Sequence, residues 1–158
     1  MKLLLLRHGV AHDRATFAAT GKEDRLRPLT EEGRKKMRRI GDALAGLLPE
    51  LALIATSPYA RARESAEILA RAYPARPVLS EAAELSPAGA SAGLLKFLQT
   101  QKALPAVACV GHEPDLSQLA GWLLTGQQKS FLELRKGGAC LLDSPAASRR
   151  ATPPCSGT

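Results

Sequence analysis

Aromatic side chains are scarce in this chain of 158 residues: one Trp, two Tyr and three Phe. A surface that grips single-stranded nucleic acid stacks bases on rings interleaved with basic residues, and so few rings do not build one. Cysteine is scarce as well. Cys109, Cys140 and Cys155 share no metal-type spacing and leave an odd one out, which excludes a disulfide scaffold and a zinc knuckle. Cys109 and Cys140 lie among apolar residues and read as small core side chains, whereas Cys155 lies in a polar tail. No apolar run approaches the ~20 residues of a membrane span. Lys2 and the leucines after it imitate the start of a signal peptide, but the run stops at Arg7 after four leucines. The expectation is a cytoplasmic protein with no membrane partner.

Carboxylates are outnumbered, 15 Asp and Glu against 22 Lys and Arg, for a formal charge of +7. The densest basic cluster, Arg34 to Arg39, is interrupted by Met37 and followed by Ile40, so it reads as the solvated face of an amphipathic helix. No nucleic-acid partner is expected, although the excess charge favours anionic substrates. An apolar content of 45% suits one domain with a sizeable core. That domain is expected over 1–143, with a disordered tail over 144–158 that is rich in Ser, Ala, Pro and Arg.

Against these absences stands one stretch, Leu3-Leu4-Leu5-Leu6-Arg7-His8-Gly9. An unbroken apolar run that ends in Arg, His and Gly predicts a buried strand whose last residues leave the core for a loop. Buried parallel strands release polar residues at their carboxyl ends, where open α/β sheets bind ligands. The glycine allows a sharp turn and a close approach to an anion.

The rest of the chain repeats this pattern. Val10 to Pro28 is polar and aperiodic and reads as a mobile loop over the site. Thr30 is a plausible N-cap for a helix with the stripe Met37, Ile40, Leu44 and Leu47. A second strand, Leu51 to Ala55, ends in Thr56-Ser57-Pro58, and a helix from about Tyr59 to Tyr73 follows. After a short strand at Val78-Leu79 and a helix around Ala92–Gln101, Ala106 to Val110 is again wholly apolar and ends in Gly111-His112-Glu113-Pro114. Asp115 is the expected cap of the next helix, which stops at Gly126. Two closing strands, near Phe131–Leu134 and Ala139–Leu142, flank Gly137-Gly138 as a hairpin. Alternating strands and helices predict a three-layer α/β/α sandwich with a mostly parallel central sheet.

Three strands thus end in chemistry: Arg7 and His8, then Ser57 with Arg61 one turn into its helix, then His112. A lone histidine after an apolar strand is more often structural than catalytic, and a lone Arg61 is a surface arginine, as Arg63 and Arg71 are. His12 reads as a loop residue. Two histidines and two arginines at one sheet edge, however, suit a phosphoryl group. Guanidinium forks pair bidentately with its oxygens, and its transfer asks chiefly for positioning and charge neutralisation.

These motifs carry a resemblance. Leu6-Arg7-His8-Gly9 resembles the RHG motif of the histidine phosphatase superfamily, which also holds the cofactor-dependent phosphoglycerate mutases. Ser57-Pro58-Tyr59-Ala60-Arg61-Ala62 resembles its second-arginine motif, and Gly111-His112-Glu113-Pro114 its second-histidine motif. Asp24-Arg25-Leu26-Arg27-Pro28-Leu29-Thr30 and the short chain resemble phosphohistidine phosphatases of the SixA type. The resemblance spans residues 2–143 and implies a phosphoglycerate mutase-like fold. It implies His8 as the nucleophile that becomes phosphohistidine. Arg7, Arg61 and His112 would form the phosphate pocket, with Gly9 and Ser57 as substrate-binding residues. Water then releases phosphate, with no cofactor and no metal. Attack requires His8 neutral on the attacking nitrogen, so its other nitrogen is expected to donate to a backbone carbonyl.

Larger members of the superfamily protonate a leaving alkoxide with a carboxylic acid. The candidates for that acid here are Glu81 and Glu84, while Glu113 and Asp115 read equally as helix-start residues. A leaving imidazole needs an acid least, which favours a phosphoramidate. The long insertions that cover the mutases' pocket are missing, so the site should admit a protein side chain. The leading expectation is a phosphatase of phosphohistidine in a phosphorylated protein. The alternatives are a phosphatase of small phosphate esters and a non-catalytic phosphate-binding module. Nothing in the sequence speaks to oligomeric state.

Overall fold

The structure, a computed structural model, describes residues 1–89 and 91–143. Five strands form one sheet: β1 (Lys2–Arg7), β2 (Leu51–Thr56), β3 (Val78–Glu81), β4 (Ala106–Gly111) and β5 (Ala139–Asp143). Their order is β3-β2-β4-β1-β5, with β5 alone antiparallel, against β1. Five helices accompany them: α1 (Arg14–Ala18), α2 (Glu31–Leu47), α3 (Ala60–Arg71), α4 (Ser91–Thr100) and α5 (Asp115–Thr125). Among the described residues no helix is long and apolar enough to cross a membrane.

Alternation along the central strands divides the core between two faces. Leu4 and Leu6 of β1 join Ile54, Ala108 and Val110 under α2 and α3, where Met37, Ala62, Ala66 and Leu69 meet them. Leu3 and Leu5 join Leu53, Val107 and Cys109 under α4 and α5, where Leu94, Leu98, Leu116 and Leu119 pack. This is the expected α/β/α sandwich. The four leucines that look undivided in the sequence thus serve two helical layers in turn.

Register carries the strand ends to one edge. Arg7 pairs with Gly111 and Thr56 with Val110. Beyond the ladder, the His8 amide donates to the Gly111 carbonyl at 3.1 Å and the Ser57 amide to the Val110 carbonyl at 3.0 Å. Residues 7–8, 57 and 111–112 therefore leave the sheet side by side.

Thr30 caps α2 as expected, its hydroxyl accepting from the Gly33 amide at 2.9 Å. Three expectations fail. The segment from Phe131 to Leu134 is not a strand, and the backbone groups of Leu134 bond side chains instead. The Leu134 carbonyl accepts from Arg7 Nη1 at 2.8 Å and its amide donates to Glu113 Oε2 at 3.2 Å. Nor does Asp115 cap α5. Its carboxylate accepts from the Ala88 amide at 2.8 Å, and Glu113 Oε1 takes the Ser117 amide at 3.0 Å. Finally, residues 10–28, expected as a loop over the site, are loop only in part. Asp13 caps the short α1 through the Thr16 amide, and a 3-10 turn runs over Asp24–Leu26. Helix α1 buries no residue, so it leaves no apolar stripe in the sequence to read. The tail expected to be disordered, 144–158, lies outside the described residues.

Candidate active site

A cavity of about 480 Å³ opens at the carboxyl edge of the sheet. Arg7, His8, Arg61 and His112, which three separate stretches of sequence supply, all line it. So do Arg14, Arg27, Lys136 and the carboxylates Asp13, Asp24 and Glu113, so the lining holds five cationic side chains and three carboxylates. Such a surface attracts anions with more than one negative oxygen.

His8 is buried, 6% exposed, and its ring is held by its neighbour: Nδ1 lies 2.7 Å from the Gly9 carbonyl. A carbonyl only accepts, so Nδ1 carries the proton and Nε2 keeps its lone pair. Burial is the largest cause that pulls His8 from the ordinary 6.5 to about 4, and the charges of Arg61, Arg7 and Arg27 act in the same direction, against the Gly9 bond. His8 is neutral at neutral pH.

The His112 ring stands 5.1 Å from that of His8, and its Nε2 pairs with Ser57 Oγ at 2.8 Å. Ser57 Oγ also accepts from the Tyr59 amide at 3.2 Å. Tyr59 meets His112 edge-on at 5.3 Å between centroids. Burial, then the His8 and Arg61 charges, hold His112 down at about 3. The Arg61 guanidinium, on the first turn of α3, is buried over the Tyr59 ring at 5.0 Å.

Gly9 and Ser57, expected to bind substrate, stand behind the cavity instead. The Gly9 amide donates to Ser65 Oγ at 3.0 Å, and the Ser57 hydroxyl serves His112. Gly9 is pressed against α2, where an added Cβ would meet Met37 Cγ at 2.7 Å. The candidate acids are not in the cavity. Glu81 pairs with Arg63 at 2.8 Å on the surface, and Glu84 borders a small crevice that Leu85, Leu94, Leu119 and the far side of the cavity residue His112 also line.

The carboxylates that do line the cavity are already engaged. Asp13 caps α1. Glu113 accepts from Ser117 and from the Leu134 amide. Asp24 accepts from Arg27 Nε at 2.8 Å and pairs with Arg61 Nη2 at 3.2 Å. Burial raises the Asp24 carboxyl, but the Arg27 hydrogen bond and the charges of Arg61 and Arg27 outweigh it, so it lies below its ordinary value.

Arg27 is the cavity-lining arginine that the strand-end pattern misses. It is 6% exposed, bonds the His12 carbonyl through Nη1 at 2.8 Å, and lines the cavity. The signal for it lay in Arg27-Pro28-Leu29-Thr30, just before the capped helix, rather than at a strand end.

Residues 3–86 match the model of the histidine phosphatase superfamily (branch 1). An uncharacterized protein of Picosynechococcus sp. is 38% identical over 154 residues, covering 96% of this chain and 90% of the relative. The structure of the candidate phosphohistidine phosphatase SixA from Agrobacterium tumefaciens superposes with a TM-score of 0.73 at 25% identity, covering 90% of this chain and 91% of that one. The protein histidine phosphatase SixA complexed with tungstate gives 0.70 at 23% identity, with 90% and 94% covered. The alpha-ribazole phosphatase of Shigella flexneri shares the fold at 0.72 with 14% identity, with 93% and 92% covered.

Proposed function

The chain belongs to branch 1 of the histidine phosphatase superfamily, and we propose that within it this protein is a metal-independent phosphatase of protein phosphohistidine. The observation that carries this reading is the 2.7 Å bond of His8 Nδ1 to the Gly9 carbonyl, which leaves a neutral nucleophile among guanidinium groups.

The Nε2 lone pair of His8 attacks phosphorus in line, and the bond from phosphorus to the leaving nitrogen breaks. Arg7, Arg27 and Arg61 neutralise the phosphoryl oxygens, and His112 donates an N–H to one of them. Arg7 and Arg61 each keep a buried Nε–H without an acceptor among the described residues. The ring of phospho-His8 is cationic, and the Gly9 carbonyl dipole stabilises it. Water then adds to phosphorus, the P–Nε2 electron pair returns to His8, and the protons of water leave with phosphate and solvent.

Phosphohistidine as substrate rests on the engagement of Asp13, Asp24 and Glu113, which leaves no cavity carboxyl ready to give a proton. An alkoxide needs that proton. An imidazole protonated on its distal nitrogen departs as a neutral ring and does not. The substrate side chain belongs to a phosphorylated protein, which reaches an open cavity from solvent.

Phosphate release is measured in parallel from a phosphohistidine protein and from p-nitrophenyl phosphate, with chelator present, for wild type and His8→Ala. Turnover of phosphohistidine that falls about 10³-fold or more in the variant is expected. Turnover of the ester alone would transfer the assignment to small phosphate esters. Turnover of neither would leave a phosphate-binding module, and undiminished activity in His8→Ala would overturn the mechanism.

A further inference from the structure

Ser65 lies outside the cavity, is fully buried in the second turn of α3, and is absent from the strand-end pattern. Its hydroxyl makes two bonds at once. It donates to the Arg61 carbonyl at 2.7 Å and accepts from the Gly9 amide at 3.0 Å. The first is the back-bond that a serine makes within its own helix. The second crosses 56 residues of sequence to the loop that follows the nucleophile.

Gly9 is therefore held from two sides. Met37 of α2 allows no Cβ there, and Ser65 of α3 holds the amide. The Gly9 carbonyl is the oxygen that receives His8 Nδ1. Rotation of the Gly9 backbone would carry that carbonyl off the ring and release the tautomer. We propose that Ser65 is a positioning residue, which fixes the Gly9 backbone so that its carbonyl keeps the proton on His8 Nδ1 and the lone pair on Nε2. Because Ser65 also bonds the Arg61 carbonyl, the nucleophile loop and the first turn of the arginine's helix are held by one hydroxyl.

This inference rests on His8 as the nucleophile, and its test separates the two. Wild type, Ser65→Ala and Ser65→Thr are compared by two-bond ¹H–¹⁵N spectra of the histidine rings, by kcat and KM with a phosphohistidine substrate, and by thermal unfolding. In wild type His8 should be the Nδ1–H tautomer, and the Gly9 amide should exchange slowly with solvent. Ser65→Ala should give a mixed tautomer and lower kcat about tenfold or more while KM stays within about twofold. Ser65→Thr, which keeps a hydroxyl, should restore both.

A Ser65→Ala protein that folds, keeps a pure Nδ1–H tautomer and turns over at the wild-type rate would overturn the positioning role while leaving His8 as nucleophile. If Ser65→Ala does not fold, a rapidly exchanging Gly9 amide in wild type would overturn the role by itself, and a protected one supports it. Loss of the phosphoenzyme on His8 in wild type would instead strike the proposed function.

Discussion

Arg61 donates to Asp24 twice, from Nη1 to its backbone carbonyl at 3.1 Å and from Nη2 to its carboxylate at 3.2 Å. The same carboxylate accepts from Arg27 Nε at 2.8 Å, so one anion lies between two guanidinium groups that face the cavity. Asp24 thus lowers the positive potential that a phosphate meets. Removal of its charge with the shape kept, in Asp24→Asn, should tighten inhibition by inorganic phosphate. Partial exposure screens the effect to about 1 kcal/mol, or roughly fivefold in the inhibition constant. Product-inhibition kinetics measure it, and an inhibition constant that rises would assign Asp24 to holding Arg61 in place.

Acid should unfold the protein through the site itself. His8 and His112 titrate near 4 and 3 in the folded chain, with burial the largest cause in each, against 6.5 for a free imidazole. As the pH falls below 6.5, the unfolded chain takes up protons that the folded chain refuses. Stability is therefore full above 6.5 and declines as the pH drops through the window toward 4. For His8 this amounts to about 3 kcal/mol as an upper bound. Urea unfolding at pH 7 and pH 4.5 should show wild type losing about 2 kcal/mol more than His8→Asn, whose amide does not titrate. Equal losses would contradict the burial argument.

Glu113 joins two structures that the sequence does not connect. It caps α5 through the Ser117 amide and holds the Leu134 amide, while the Leu134 carbonyl holds Arg7 Nη1. Glu113→Ala should cost about 1–2 kcal/mol by loss of the cap and of a half-buried acceptor. With Arg7 released from Leu134, KM for substrate should also rise several-fold. Glu113→Gln, which keeps an acceptor oxygen, should recover much of both. Thermal unfolding and steady-state kinetics on the same preparations test this.

The layers and the edge that carries the candidate site were legible because they depend on patterns that recur locally: apolar runs of strand length, each ending in polar residues, and a Thr cap before a helix. Where the candidate acids Glu81 and Glu84 point was not legible. Glu81 and Glu84 follow the third strand as an acid in a larger relative would. Side-chain direction at a strand end and a 3-10 turn is set by tertiary packing, however, and Glu81 points to Arg63 instead. The strand expected at Phe131–Leu134 is missing as well, and the backbone partners of Leu134 are an arginine and a glutamate far away in sequence. Arg27 was hidden because it enters the cavity from a 3-10 turn rather than from a strand. Glu81→Ala and Glu84→Ala should accordingly leave phosphohistidine turnover within about twofold, as surface changes away from a site do. A large loss in either would restore it as the acid.

Two glycines of α2 make opposite predictions. An added Cβ at Gly33 would stand 2.1 Å from the Val10 carbonyl oxygen, which is backbone and has little freedom to yield. That carbonyl also accepts from the Thr30 amide at 3.0 Å, so a shift of Val10 pulls on the helix cap and on the chain two residues beyond His8. At Gly46, exposed in the last turn, an added Cβ meets nothing within 4 Å. Alanine at a helical glycine with open space reduces the freedom of the unfolded chain and should stabilise by about 0.5–1 kcal/mol. Gly33→Ala should destabilise by about 2 kcal/mol or more, through overpacking against backbone, and should slow turnover by disturbing the loop that carries His8 and Gly9. Melting temperatures of the pair, with kcat for each, decide the matter. A Gly33→Ala protein that is as stable and as active as Gly46→Ala would mean that α2 does not press on the nucleophile loop at all.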